Sequence, residues 1–320
     1  MKIPELKPIK YIISAGLLGF IIMQMDYDLL MHESEKLNLW LLSLSTLLIV
    51  CQIFFLNLRW HYYLNVGRHN ISFITSSLIN IAGYFANILF ITSVGGIIAK
   101  SGLAVRHGLS LTQAVFATFL DRFMTLAALI IFSAIGLPFL PNILDDKLLI
   151  MLALSVSGLI ILIALGLIAL RSGLLKDFIL SNRRRSRLVS ILREYTENYD
   201  LMFKTTVHSL IAQACFILAV YALSLGMYNE GQNIHTIEFL ALMPVLALIS
   251  SLPISFGGWG VREGAFIYGL GLIGFSMESA FFLSVQVGVI TMVAPFLVGL
   301  PYLLKADMRQ FLLSGGHKPI

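Results

Sequence analysis

The sequence predicts an all-α polytopic membrane protein, with about six spanning helices plus two re-entrant helical hairpins in an inverted repeat. Three observations carry this reading. The chain is 58% hydrophobic and 12% charged, where a soluble domain carries about 25% charged residues. Its charges gather in a few short segments between long apolar runs. One glycine-rich pattern occurs twice, each time where an apolar run breaks.

Apolar runs that approach or exceed the ~20 residues needed to cross a bilayer cover residues 9–25, 38–58, 111–137, 148–170, 205–227 and 280–304. The first follows Lys2, Lys7 and Lys10, which resembles a signal-peptide start. No small-residue cleavage site follows it, so an uncleaved first helix is expected. The acidic loop 26–37 (Asp26, Asp28, Glu33, Glu35 against Lys36) and the loop 138–147, with Asp145 and Asp146, read as external. The basic segment 59–69 and both ends of the chain read as cytoplasmic. Segment 171–204 holds Arg171, Lys176, Arg183, Arg184, Arg185, Arg187, Arg193 and Lys204 against Asp177, Glu194, Glu197 and Asp200. By the positive-inside rule it is the main cytoplasmic loop. Its arginine run opens an amphipathic stretch to Phe203, which fits either a helix lying on an anionic inner leaflet or a plain orientation-setting loop. The expected organisation is a first membrane repeat over 1–170, the loop 171–204, and a second repeat over 205–320.

These sides force a parity result. Stretch 71–110 begins inside, and the helix after it must also begin inside to deliver Pro138 outside. Stretch 236–277 begins outside, and the last helix must begin outside to leave Lys305 and Arg309 inside. Each stretch enters and leaves on one side, and the two enter from opposite sides. Two full crossings per stretch satisfy parity equally, but the halves near 97–110 and 260–275 are short for that. Two re-entrant hairpins, about 71–110 and about 236–277, are therefore expected. A turn at membrane depth is tolerated where protein or water covers its backbone.

Each stretch carries the repeated pattern. Ser93-Val-Gly95-Gly96-Ile-Ile-Ala-Lys100-Ser-Gly102 returns as Ser255-Phe-Gly257-Gly258-Trp-Gly-Val-Arg262-Glu-Gly264. Gly108-Leu-Ser110-Leu-Thr-Gln-Ala114-Val-Phe116 then returns as Gly274-Phe-Ser276-Met-Glu-Ser-Ala280-Phe-Phe282. Glycine-interrupted apolar segments at matching places in two halves point to a transporter's binding site. The glycine doublets would form the hairpin tips. A half-helix starting just after each would aim free N–H groups at an anion, with Lys100 and Arg262 one turn further on. A phosphate suits that set of donors, and in a membrane it belongs to a lipid headgroup. The competing reading is that the glycines permit close helix packing and the cations snorkel to an interface.

Asp121-Arg122 is the other costly feature. It lies about ten residues, hence ~15 Å, into its helix, where one charge costs roughly 2.5–3.5 kcal/mol on insertion scales. Partners are required: Lys100 or Arg262 for Asp121, and Glu263 for Arg122. The pair is either a structural lock or the charged lining of a headgroup groove. Trp259 is a packing anchor or a headgroup shelf. Glu238 and Glu278, near external helix ends, are expected to be solvated.

Other chemistry finds little support. Cys51 and Cys215 lie inside apolar runs, and the seven histidines lack ligand spacing. Hydrolase elbow, phosphate-binding lysine loop and paired-carboxylate motifs are missing from the sequence. No catalytic residue, metal or cofactor is expected, and the net charge of +5 reports orientation rather than nucleic-acid binding.

The segment Leu252-Pro-Ile-Ser-Phe-Gly-Gly-Trp-Gly-Val-Arg-Glu-Gly264 closely resembles the LP-x-S-x-GG-x-G-x-RE signature of the flippase-like membrane domain of lysylphosphatidylglycerol synthases, found also in stand-alone membrane proteins. Ser93–Gly102, Gly108 and Asp121-Arg122 resemble the pattern of that family's first half, and the resemblance extends from about residue 10 to 305. Many members carry Pro and Asp around the first doublet, where this chain has Thr92-Ser93 and Ile97. The resemblance implies a bacterial or archaeal cytoplasmic membrane protein that moves a phosphate-bearing lipid, with or without an aminoacyl group, between leaflets. About fifteen residues follow Leu304, so the soluble aminoacyl-transfer domain of the full-length synthases is not expected here. The headgroup site would comprise Lys100, Arg262, Glu263, Asp121, Arg122, Ser93, Gly95, Gly96, Ser255, Gly257, Gly258 and Trp259. The partner would be a membrane phospholipid or lipid-linked headgroup, with a homo-oligomer or a partner synthase also compatible. A non-catalytic accessory subunit, or a membrane enzyme of lipid-linked aminoacyl or glycosyl transfer, is the alternative.

Overall fold

The computed structural model describes residues 16, 19–35, 37–66, 69–89, 93–171, 191, 194–227, 235–251 and 259–303. Among them the regular elements are helices: α1 (Tyr27–Glu35), α2 (Leu39–Leu64), α3 (Phe73–Leu89), α4 (Ser93–Arg106), α5 (Leu111–Gly136), α6 (Asp146–Arg171), α7 (Tyr199–Ser224), α8 (Thr236–Ser251), α9 (Val261–Gly271) and α10 (Met277–Leu303). Five of them, α2, α5, α6, α7 and α10, are long and apolar enough to cross a membrane. The sixth expected span, 9–25, falls largely outside the described residues, as does most of the basic loop.

Polar residues in the breaks between apolar runs set the helix starts. Asn38 Oδ1 accepts the Trp40 and Leu41 N–H groups ahead of α2. Ser72 Oγ accepts that of Thr75 at α3, and Asp145 Oδ1 that of Leu148 at α6. Each satisfies N–H groups that a first turn leaves without an intrahelical partner. Pro138 sits in a single 3-10 turn, Leu137–Phe139, that closes α5. Two boundaries differ from expectation. Helix α2 runs six residues past the expected end at 58, because Trp60, Tyr63 and Leu64 are buried and keep the helix packed. That extension carries Arg59 out of the expected loop and into the helix. The end of the basic segment also packs on protein: Ile191 and Tyr195 are buried, with the Tyr195 ring 5.7 Å from Tyr63 and its hydroxyl 2.7 Å from Thr205 Oγ1.

The two stretches singled out by parity each form a pair of short helices in contact, α3 with α4 and α8 with α9. Their lengths are 17, 14, 16 and 11 residues, below the ~20 that span a bilayer.

The chain divides into two compact units. The first takes in the chain up to Ile49, Leu129–Val156 and Ala214–Met292 and contains α8 and α9; the second takes in Val50–Ala128, Ser157–Gln213 and the chain from Val293 and contains α3 and α4. Each division falls inside one of the five long helices. In the second unit Trp60, Tyr63, Leu64, Ile79, Ala104, Phe116, Leu120 and Tyr195 form a continuous apolar core. In the first, Phe239 stacks obliquely against Tyr221 and Phe275. Gly269 there lets α9 approach α8, since a Cβ would lie 2.5 Å from Leu246 Cδ2.

The sequence repeat is repeated in local structure. After α4, Gly108 (φ 94°) ends the helix, with bonds from Gly108 N to Val105 O and from Leu109 N to Ala104 O. After α9, Gly274 (φ 89°) does the same through Gly274 N to Gly271 O and Phe275 N to Leu270 O. Both are glycine caps of the Schellman kind. Two residues on, Ser110 Oγ accepts Gln113 N–H and Ser276 Oγ accepts Ser279 N–H, starting α5 and α10.

Candidate functional site

In the second unit, α2, α4 and α5 bring three charged side chains together. Asp121 on α5 is 8% exposed and Arg59 on α2 is 1% exposed. Arg59 donates to Asp121 Oδ1 from Nε at 3.0 Å and from Nη2 at 2.7 Å. It donates further to the Asp121 carbonyl, to Thr125 Oγ1 and to Ser209 Oγ, each at 2.8 Å. Lys100 Nζ donates to the other carboxylate oxygen, Oδ2, at 3.0 Å and lies 4.2 Å from the centre of the Trp60 ring. The guanidinium is thus tied to α5 and α7 by neutral and charged acceptors alike, while the ammonium has one acceptor among the described residues. A buried acid with two cations is strongly held, because removing either partner strands charge in a low-dielectric interior.

The helix pair α3–α4 positions Lys100. Helix α3 presents Ser76, Asn80, Gly83 and Asn87 as a small and polar stripe at helical spacing. At Gly83 the missing side chain leaves room for the Lys100 stem, whose Cδ would lie 2.8 Å from an added Cβ. Gly96 of α4 is matched to the same stripe: a Cβ there would collide with the Asn87 side chain and come within 2.6 Å of Gly83 O. Asn87 Oδ1 accepts the Gly96 N–H at 2.7 Å.

This corrects the expected hairpin tip. Helix α4 begins at Ser93, so Gly95 and Gly96 lie within its first turn rather than before it, and the left-handed glycines among the described residues are 108, 260 and 274. Gly96 permits close packing of α4 on α3, and its first-turn N–H, expected to face an anion, is bonded to Asn87. Ser255, Gly257 and Gly258 of the second copy lie outside the described residues.

In the first unit a second cation is held differently. Glu263 of α9, fully buried, accepts the Gly260 N–H ahead of its helix, where Gly260 takes a left-handed φ of 89°. Arg262 donates to Glu263 Oε1 from Nη2 at 2.6 Å and to Ser284 Oγ from Nε at 3.1 Å. Its guanidinium lies 4.7 Å from the centre of the Trp259 ring. Gly288 of α10 makes room for it, since a Cβ there would be 2.5 Å from Arg262 Nη2. Trp259 is therefore a shelf for Arg262.

Of the expected pairings, Asp121 with Lys100 is present. The expected Glu263–Arg122 pair is replaced by Glu263–Arg262, because adjacent residues in the first turn of α9 share the capping geometry, while Arg122 lies on the exposed side of α5. Glu278, expected to be solvated, is 8% exposed and accepts the Asp26 N–H at 3.3 Å; Glu238 lies 3.8 Å from His235. Arg59 is the residue that sequence reasoning missed. Its signal was a lone arginine in Leu58-Arg59-Trp60-His61-Tyr62-Tyr63-Leu64, where the aromatic residues keep the helix buried past the apparent end of the run. No group of three or more His, Cys, Asp or Glu side chains suited to a metal occurs among the described residues.

The profile of the family described as the lysylphosphatidylglycerol synthase transmembrane region matches residues 9–299. The chain belongs to that family and is an integral membrane protein. No curated protein matches it.

Proposed function

We propose that this member of the lysylphosphatidylglycerol synthase transmembrane-region family is a lipid transporter that moves a phosphate-bearing lipid between the leaflets. The observation that carries the reading is Lys100: a deeply placed ammonium with one acceptor among the described residues, on a short helix of a hairpin, beside an acid already secured by Arg59. An ammonium has three donors, and its remaining two suit phosphate oxygens. The short helix pairs α3–α4 and α8–α9 act as two re-entrant hairpins entering from opposite sides, with both chain ends cytoplasmic. The matched glycine caps at Gly108 and Gly274 support descent from one repeated unit. Alternating exposure of the two halves of such a repeat moves a headgroup without an ATPase motif, while the acyl chains stay in the bilayer.

The test is leaflet exchange of labelled lipids in liposomes holding the purified chain. Lys100→Ala is expected to slow exchange by at least tenfold while leaving insertion intact. Arg262→Ala is expected to slow it too, and is compared with Arg262→Ala/Glu263→Gln, which avoids stranding the buried carboxylate. Full activity in these variants removes the phosphate-binding role.

A second reading, an accessory subunit of a lipid-modifying enzyme, is favoured by one observation: just 6% of the apolar window of α6 is buried. A partner that co-purifies in stoichiometric amount in mild detergent, together with no exchange of any lipid, would select it.

A further inference from the structure

We infer that a groove between α5, α7 and α8 of the first unit is a second lipid site, which holds one acyl chain of a membrane phospholipid with the headgroup at the rim where α8 begins. The inference goes beyond the transport reading and does not depend on it.

The sequence builds the groove by placing small residues where three helices meet. Gly136 of α5 packs closely on α8, since a Cβ there would lie 2.7 Å from Ala241 O. Gly136, Ala214 of α7 and Ala241 put at most a methyl group into the space beside that contact, which measures about 330 Å³. The buried members of the lining, Gly136, Ile217 and Ala241, form its floor. Ile135, Phe139, Leu218 and Ile237, each about half exposed, form its mouth. The lining is hydrocarbon throughout.

Position and size select the occupant. Helices α5 and α7 are long and apolar in an integral membrane protein, so the mouth opens into bilayer hydrocarbon rather than water. An α-helix with its side chains is about 10 Å across, so one turn of ~5.4 Å fills roughly 400 Å³. The groove is too small to seat a partner helix. A methylene takes up about as much room as a water molecule, ~30 Å³, so the groove accepts roughly eleven carbons of a single chain. Its lining extends from Phe132 to Phe139 along α5 and the turn that closes it, ~10 Å at helical rise, which suits an elongated guest.

The rim above is polar. Tyr221, one turn beyond Ile217 on α7, has its hydroxyl 2.9 Å from Thr236 Oγ1. Thr236 and Glu238 flank Ile237 at the mouth, and His235 Nδ1 lies 3.8 Å from Glu238 Oε1. Polar groups at one end and hydrocarbon below match an amphipathic lipid, and a tyrosine with its ring inward and its hydroxyl at the rim is typical of a membrane boundary. Lipid tails are as apolar as the groove, so burial of hydrocarbon alone does not retain the chain. Contact with three helices at once does, together with the headgroup at the rim. The preference over ordinary boundary lipid is therefore modest, about fivefold or ~1 kcal/mol.

The test uses the full chain in vesicles of phosphatidylglycerol and phosphatidylethanolamine, with a phosphatidylglycerol whose acyl chain carries a diazirine. Labelled residues are mapped by mass spectrometry after irradiation. Helix α6, with 6% of its apolar window buried, is the internal reference for boundary lipid. Label per exposed residue is expected to be about fivefold higher at Ile135, Phe139, Leu218 and Ile237 than along α6. Ala214→Phe fills the groove and should remove the excess, whereas Leu162→Trp, on the exposed face of α6, should leave it. If Ala214→Phe does not fold, Ile135→Trp at the exposed mouth takes its place. Label spread evenly over α6 and the groove, or an excess that survives the filling variant, overturns the inference. Stronger competition by a polyprenyl phosphate than by unlabelled phosphatidylglycerol overturns the phospholipid acyl chain as the occupant. The readout is labelling, so a chain that exchanges no lipid between leaflets removes the transport reading and not this one.

Discussion

Gly83→Ala tests whether α3 is shaped to place Lys100. An added Cβ would overlap Lys100 Cγ and sit 2.8 Å from Cδ, whereas the nearest backbone atom, Gly96 O, is at an ordinary 3.4 Å. The helix pair can stay where it is and the lysine stem must move. The stem is not a free end, so moving it draws Nζ away from Asp121 Oδ2. Losing a hydrogen bond to a charged group costs about 1.5–3 kcal/mol. A strained rotamer adds roughly 0.5–1.5 kcal/mol. Replacing glycine within a helix returns up to ~1 kcal/mol. The net expectation is a loss of roughly 1–4.5 kcal/mol, in a direction opposite to helix propensity. The assay is reversible unfolding in mixed micelles with added SDS, followed by tryptophan fluorescence, for Gly83→Ala, Lys100→Ala and the double variant. With the lysine truncated, the methyl group introduced by Gly83→Ala fits the vacated space, so the cycle should show a coupling of at least ~1 kcal/mol. An additive cycle, or a Gly83→Ala protein that gains stability, refutes the positioning argument.

Gly108→Ala and Gly274→Ala meet no atom within 4 Å, so each should cost the left-handed strain alone, ~1–2 kcal/mol; a difference above ~1 kcal/mol would contradict the equivalence of the two caps. Gly288→Ala pushes the guanidinium of Arg262, which is bonded to buried Glu263 and to Ser284, so it should reduce lipid exchange several-fold with a stability loss of about 1.5–3 kcal/mol, the cost of losing a hydrogen bond to a charged group. Asp121→Ala leaves Arg59 buried without its acid and should cost about 3–5 kcal/mol, whereas Asp121→Asn, which keeps a hydrogen-bond acceptor, should cost less in the same unfolding assay. Gly136→Ala places a Cβ 2.7 Å from Ala241 O, so α5 and α8 must separate, with an expected loss of about 1–3 kcal/mol.

How much of this was legible beforehand differs by element. The long helices were readable because crossing a bilayer demands ~20 apolar residues whatever their partners, and their starts coincide with polar residues of capping type. The glycine caps were readable as a pattern, since a left-handed residue ahead of a serine cap needs Gly-x-Ser locally. The role of the first doublet was not. Gly95-Gly96 suits a turn and a close helix crossing equally, and Asn87 and Gly83 on the neighbouring helix decide for the crossing.

By itself the sequence determined that this is a helical membrane protein with a duplicated motif, because backbone hydrogen bonds and apolar length are local demands. It also determined that Asp121 required a cation, since an unpaired charge at that depth is too costly. Which cation answers was decided by tertiary structure alone. Arg59 enters because α2 stays helical through Trp60 and Leu64, and Glu263 turns to Arg262 because its carboxylate is fixed by the N–H ahead of its own helix. Charges in a low-dielectric interior pair with whatever the packing brings within hydrogen-bonding reach, and that proximity is a property of the fold rather than of the spacing along the chain.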